Sequence, residues 1–352
     1  MKIIHTADLH IDSKMETHLD PIKAKERKNE LLLSFKRLVD YARTNDVKVI
    51  IIAGDMFDKE RVSIKTRDYI LGVIREYQNI DFIYVAGNHD EDVIISEFDD
   101  APSNLYTFNS KWQTISYDDV DISAIVYNEA SKTYMYDTLQ LDQNKLNIVV
   151  LHGPIEGENA INLNLLKDKH IDYLALGHIH KYIKGSLGDN GVYVYPGCLD
   201  GRGFDEIGPK GFVELEIVDG KITSNFHKFA RRELHMVEVD ITNLDNWVDI
   251  RKTISLKLNG IPSTDMVKVK LTGKYNIDLI KQTELLLDSL NDEYYFAKVE
   301  DDSKLNVNPK DFENDVSLKG EFIRNVLGSN LSEDEKNSII EYGIKALLKE
   351  EI

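Results

Sequence analysis

The chain has 352 residues, a formal net charge of −18, 42% hydrophobic and 30% charged residues, and a single cysteine, Cys198. That length suggests two domains, or one large domain with an appendage, and the apolar share is enough for a packed core. So acidic a chain does not hold nucleic acid by bulk electrostatics alone. One cysteine excludes a disulfide framework and a cysteine zinc cage and fits a reducing cytoplasm, and no apolar run or signal-peptide core predicts a membrane span or secretion.

In chain order, residues 2–7 read as a short buried strand, 23–44 as an amphipathic helix, 47–53 as a second strand, 63–77 as a second helix and 81–86 as a third strand. Further strands follow at 113–117, 121–126, 146–151, 171–176, 182–187, 191–195, 212–218 and 221–229, with Asp-Asn-Gly and Asp-Gly turns as hairpin signals. The alternation predicts α/β layers, a two-sheet β-sandwich flanked by helices over residues 1–230. After Arg231-Arg232 the pattern restarts as a compact β-α-β-α-β unit, with strands at 235–241, 267–271 and 294–300 and helices near 246–258 and 278–290, giving a small α+β domain over 231–300. Residues 301–315 are polar and acidic without period and read as a linker. Residues 316–352 read as a helix pair. Phe322, Ile323, Val326 and Leu327 stripe the first helix, and Ser332 with Glu335 opens a second striped by Ile339, Ile340, Gly343, Ile344, Leu347 and Leu348.

The chemistry lies where strands end. Asp8-Leu9-His10 follows the first strand, Gly54-Asp55-Met56-Phe57-Asp58 the second and Gly87-Asn88-His89-Asp90 the third. His152-Gly153 follows 146–151, and Gly177-His178-Ile179-His180 follows 171–176. Ligands of open α/β sheets collect at the carboxyl ends of strands, so these groups should converge. Carboxylate, amide and imidazole donors without thiolate suit manganese, iron or zinc, and their number exceeds one ion's needs. Two metals bridged by a carboxylate suit phosphodiester hydrolysis. Taken singly, each piece has a plain structural explanation, such as a satisfied core histidine or turn chemistry at Asn-His-Asp. All five in order, each after its own strand, do not.

The set D-x-H, G-D-x-x-D, G-N-H-D, a lone H and G-H-x-H, unbroken across 8–180, resembles the calcineurin-like metallophosphoesterase superfamily. The opening His5-Thr6-Ala7-Asp8-Leu9-His10-Ile11-Asp12-Ser13, with Tyr195-Pro196-Gly197 and Arg202-Gly203-Phe204, resembles its DNA-repair nuclease branch, which contains SbcD and the bacterial YhaO-type exonucleases. The resemblance implies the metallophosphoesterase fold, with Asp8, His10, Asp55 and His180 on one metal and Asp55, Asn88, His152 and His178 on the other, Asp55 bridging. It implies that His89 contacts the phosphate and assists the leaving oxygen, with Asp90 orienting its ring, and that Asp58 stands outside the ligands. It also implies two divalent ions, manganese by the habit of the branch, and a hydroxide activated by both that attacks phosphorus.

The motifs leave the substrate open among DNA, phosphoproteins, cyclic nucleotides and small phosphate esters. The resemblance favours a DNA exonuclease/endonuclease subunit in double-strand-break repair. The small domain would cap the metal face, a homodimer would form, and the helix pair would dock an SMC-like coiled-coil ATPase of SbcC type. The stripes have too little chain around them to bury them, which favours docking over packing back on their own domain. The acidity of both halves argues for a phosphatase or phosphodiesterase acting on a small ester, unless the partner supplies the cationic surface. A scaffold with a vestigial site is the third reading, and the unbroken ligand set opposes it. Arg61, Lys181 and Arg202, near the motif loops, are candidate phosphate contacts.

Overall fold

The computed structural model describes the chain except residues 16–18, 59–61, 89–100, 277, 278, 280, 308 and 349–352. It divides into two compact units, Met1–Glu233 and Leu234–Ile352. The division falls just past the expected restart because Arg231 and Arg232 belong to the first unit: the Arg231 amide donates to Asp200 and the Arg232 guanidinium is buried on Glu30.

In the first unit β1 (Lys2–Thr6), β2 (Val49–Ala53), β3 (Asp81–Val85) and β4 (Leu105–Thr107) run parallel. Beyond β1 the sheet is extended antiparallel by β11 (Gly211–Val218) and β12 (Lys221–Lys228), in the order β12-β11-β1-β2-β3-β4. Asp219 and Gly220, both at positive φ, make the tight turn between β11 and β12. A second sheet has the order β5-β6-β7-β8-β10-β9, from β5 (Gln113–Tyr117), β6 (Val120–Ala124), β7 (Leu146–His152), β8 (Tyr173–Gly177), β9 (Ile183–Leu187) and β10 (Gly191–Tyr195). Its inner strands β6, β7, β8 and β10 are parallel.

Strands covered on both faces explain the unbroken apolar runs. In β2, Val49, Ile51 and Ala53 join Ile122, Ile148 and Val150 in the core between the sheets. The alternate residues Ile50 and Ile52 pack with Phe35, Leu38 and Val39 of α1 (Pro21–Thr44) and Ile70, Val73 and Ile74 of α2 (Ile64–Glu76). α1 starts two residues before its first apolar period because Asp20 caps it, its Oδ1 accepting from the amides of Ile22 (2.9 Å) and Lys23 (3.0 Å), with Pro21 following. The outer face of the second sheet packs Val149, Leu151, Leu174 and Leu176 against Met135, Leu139, Ile161 and Leu166. Met135 opens the one-turn helix α3 (Met135–Thr138).

The second unit holds a parallel sheet of β13 (Leu234–Asp240), β14 (Met266–Thr272) and β16 (Phe296–Asp301), joined through α4 (Trp247–Lys257) and α5 (Thr283–Glu293). Two expectations need correction. The stretch 301–315 is not a structureless linker: β17 (Lys304–Asn306) pairs with β15 (Lys274–Asn276), and Leu305 and Phe312 are buried. Its polar composition misleads because few of its residues carry the packing. The helix pair α6 (Leu318–Leu327) and α7 (Glu333–Leu348) does find chain to bury its stripes: Ile323, Ile340 and Ile344 lie in one core with Val269, Leu271 and Leu286. Uncovered stripes are therefore no argument for a docked partner. The capping box at the start of α7 is present, Glu335 Oε2 accepting from the Ser332 amide at 2.9 Å. No helix among the described residues is long and apolar enough to cross a membrane.

Candidate metal centre

Asp8 and His10 follow β1, Asp55 follows β2, Asn88 follows β3, His152 closes β7, and His178 and His180 follow β8. Because β1 and β2 are parallel neighbours, their exit loops continue side by side. The amides of Asp8, His10 and Ile11 donate to the carbonyls of Gly54, Asp55 and Met56, each at 3.0 Å. In the other sheet His152 pairs with Gly177, and the Gly153 amide donates to Gly177 O at 3.1 Å.

Glycine lets the two pairs of loops meet. A Cβ on Gly177 would stand 1.7 Å from Ala53 O, and one on Gly54, at φ 87°, would stand 2.0 Å from His152 Nδ1. Asp8 (φ 51°), His10 (44°), Asp55 (49°) and His178 (107°) hold positive φ themselves. A residue with a side chain held there stores on the order of 1–3 kcal/mol, and such strain gathers at functional sites.

The side chains converge. His10 Nε2 is 3.1 Å from His180 Nε2 and 3.7 Å from Asp55 Oδ2, and His180 Nε2 is 3.8 Å from Asp8 Oδ1. His152 Nε2 is 3.4 Å from Asp55 Oδ2 and 3.1 Å from Asn88 Oδ1, which is also 3.2 Å from His178 Nδ1. Among the described residues, two groups have ligand atoms close enough together for one ion: Asp8 with His10 and His180, and Asp8 with Asp55 and His152. These groups share Asp8, whereas the resemblance makes Asp55 the bridge. Asp55 Oδ2 nevertheless stands between an imidazole of each set, so both carboxylates lie at the junction. Asp8 also accepts the His178 amide on both oxygens, at 3.0 and 3.1 Å.

The chemistry of this donor set fits divalent cations. Asp8 and Asp55 are each 1% exposed, and buried carboxylates this close need positive charge. Burial pushes the Asp8 carboxyl above its ordinary range. Burial opposes charge on His152 too, but the Asp55 and Asp8 carboxylates outweigh it and push that imidazole up to about 9. Tautomers are set from outside. The carbonyl of Ala53, which can only accept, takes His152 Nδ1–H at 2.9 Å, and the Glu206 carboxylate takes His180 Nδ1–H at 2.7 Å. In the neutral form that a metal requires, both rings therefore turn an Nε2 lone pair inward.

Glu206 is a residue that motif reading misses. Burial opposes its ionisation, but His180 and Arg202 hold it well below the usual carboxylate range. Its Oε2 accepts the Arg202 amide at 2.7 Å, and its Oε1 accepts Arg202 Nε at 3.1 Å and Nη2 at 2.8 Å. Arg202, expected on substrate phosphate, therefore spends its guanidinium on Glu206 and lies 3.8 Å from Asp58. Asp58 stands beside the ligands, 3.7 Å from His10 Nδ1. Lys181 is exposed next to His180. His89, Asp90 and Arg61 lie outside the described residues.

Among curated proteins, the chain is 27% identical over 302 residues to the uncharacterized metallophosphoesterase YhaO of Bacillus subtilis, spanning 78% of this chain and 72% of that protein. Among solved structures, it aligns with a dimetal phosphatase from Danio rerio at TM-score 0.43 and 11% identity, over 64% of this chain and 98% of that one. It also aligns with TT1561 of Thermus thermophilus at TM-score 0.41 and 12% identity, again over 64% and 98%. Residues 1–182, just over half of the chain, match the model of the calcineurin-like phosphoesterases, and the chain belongs to that family.

Proposed function

We propose that this phosphoesterase hydrolyses phosphodiester bonds with two divalent cations, manganese in the leading reading, and that DNA is its substrate. The observation that carries the two-cation reading is the convergence of two donor groups on the buried carboxylates of Asp8 and Asp55. Asp8, His10 and His180 would hold one ion, and Asp55, Asn88, His152 and His178 the other, with Asp8 or Asp55 shared. When bound, such a pair lowers the pKa of water and neutralises charge developing on the phosphoryl oxygens. The chain's own residues do the rest. Ala53 and Glu206 keep the protons of His152 and His180 on Nδ1, away from the centre, and the amide of Asn88 offers an oxygen beside His152 and His178.

The DNA reading rests on the likeness of the motifs to the repair-nuclease branch. With a net charge of −18, the cationic surface for duplex DNA would come from a partner, the SMC-like ATPase that the same likeness implies, and the homodimer belongs to the same proposal. That charge also favours a second reading, a phosphodiesterase for a small ester. Incubation with manganese and either linear duplex DNA or bis(p-nitrophenyl) phosphate separates the two. Release of nucleotides from DNA supports the first reading. Turnover of the aryl diester alone, with the partner present, supports the second. No hydrolysis of either with two ions bound overturns both.

A further inference from the structure

Beside the candidate metal centre lies a pocket of about 630 Å3, within the roughly 300–1,000 Å3 range of small-molecule sites. Asn88, His152 and His178 are among its lining residues, so an occupant can reach the groups that would hold the second cation. Tyr127 forms a wall. Its ring packs against Gly153, where an added Cβ would stand 3.0 Å from Tyr127 Cδ1. Its hydroxyl donates to the carbonyls of Asn159 (3.1 Å) and Ala160 (3.3 Å), which fixes the ring in place. Asn128 turns its Oδ1 to the amides of Ala130 and Ser131, both at 3.1 Å, leaving its NH2 group to a ligand. At the rim Lys132 is already engaged, by Asn159 Oδ1 at 3.0 Å and by the carboxylate of Glu129, and Glu158 adds a second exposed carboxylate.

These features select an occupant by elimination. A continuing phosphate backbone meets Glu129 and Glu158 with no uncommitted cation among the described lining residues to offset them. An alkyl group leaves the Asn128 amide without a partner, and a sugar alone meets the tyrosine with C–H groups where a base would stack a π face. A group with an aromatic face and polar edges answers all three. We propose that this pocket takes one nucleoside of the scissile phosphodiester, its base against the ring of Tyr127. The inference rests on the phosphodiesterase reading and narrows it: the substrate is a nucleotide diester or a nucleic-acid end, from which a single nucleoside can enter.

Stacking of a base on an aromatic side chain is worth about 1–3 kcal/mol, about a 5- to 150-fold preference. With manganese bound, kcat/KM for thymidine 5′-p-nitrophenyl phosphate should exceed that for methyl p-nitrophenyl phosphate by that factor. Tyr127→Leu should shrink the ratio, mainly through KM, while Tyr127→Phe keeps it. A second measurement needs neither turnover nor a variant: saturation-transfer NMR of thymidine 5′-monophosphate with the metal-free protein should show strong saturation of the base proton. Equal kcat/KM for the two esters, or no base saturation, overturns the pocket assignment. If neither ester is hydrolysed, the phosphodiesterase reading falls, and the NMR result still decides the pocket.

Discussion

The two units treat charge in opposite ways. In the first, Asp8, His10, Asp55, His152, Glu206, Arg27, Glu30, Asp200, Lys210 and Arg232 are buried, whereas among the described residues of the second the buried charge is Asp265. The second unit follows the local rules: alternating strands, helices with one apolar face, ion pairs such as Lys270 with Asp302 at the surface. The first breaks them where the sheets end, with buried carboxylates and positive φ at Asp8, His10, Asp55 and His178. Folding alone gives no reason for such an arrangement, and sequences depart from local consistency mostly at functional sites.

Not every buried charge in the first unit belongs to the metal centre, and the largest expected effect tests one that does not. Arg27 and Arg232 both donate to Glu30, Arg232 Nη2 at 2.8 Å, and Arg27 Nη2 also donates to Gly201 O at 2.7 Å. Glu30→Ala leaves two buried guanidinium groups short of a carboxylate and should cost about 3–5 kcal/mol in urea unfolding. A cost under about 1 kcal/mol would mean that water already serves these groups. In the second unit the comparable injury is apolar. Ile323→Ala opens a hole in its core and should cost about 2–5 kcal/mol. A neutral result would contradict the packing of α6 described above.

A smaller effect separates orientation from ligation. Glu206→Gln keeps the shape but loses the ionised acceptor for His180 Nδ1–H, and should weaken binding of one manganese ion about 10- to 100-fold by calorimetry while leaving the other unchanged. Unchanged affinity for both ions would make Glu206 a structural partner of Arg202 only. The smallest effect is on pH. Burial pushes His5, in β1, down to about 3 from its ordinary 6.5. The unfolded chain takes up a proton near 6.5 and the folded one does not, so this stability is complete above 6.5 and is lost as pH falls toward 3. Between pH 7 and pH 5 the metal-free wild type should lose about 2 kcal/mol more than His5→Leu. Parallel pH profiles would contradict the neutral buried imidazole.

The sequence made most of the first unit legible because strands buried on both faces are written as unbroken Val and Ile runs, and because each motif loop begins where such a run stops. Convergence followed from strand ends alone. What stayed hidden depends on distant approach. Glu206 reaches His180 across 26 positions with no periodic signal, and its pairing with Arg202 is equally invisible in the motif loops. β4 (Leu105–Thr107) is three residues long and was missed, while β17 carries one buried side chain, Leu305. The helix stripes were found, but the chain that covers them, such as Val269 and Leu286, gives no sign of it in the sequence.

Metal stoichiometry and position test the central claim most directly. Anomalous diffraction at the manganese edge, from crystals of the full chain grown with that ion, should show two peaks. One should lie among Asp8, His10 and His180, the other among Asp55, Asn88, His152 and His178, and in Asp55→Ala at least one should vanish. Peaks elsewhere, or none with manganese in excess, would contradict the account.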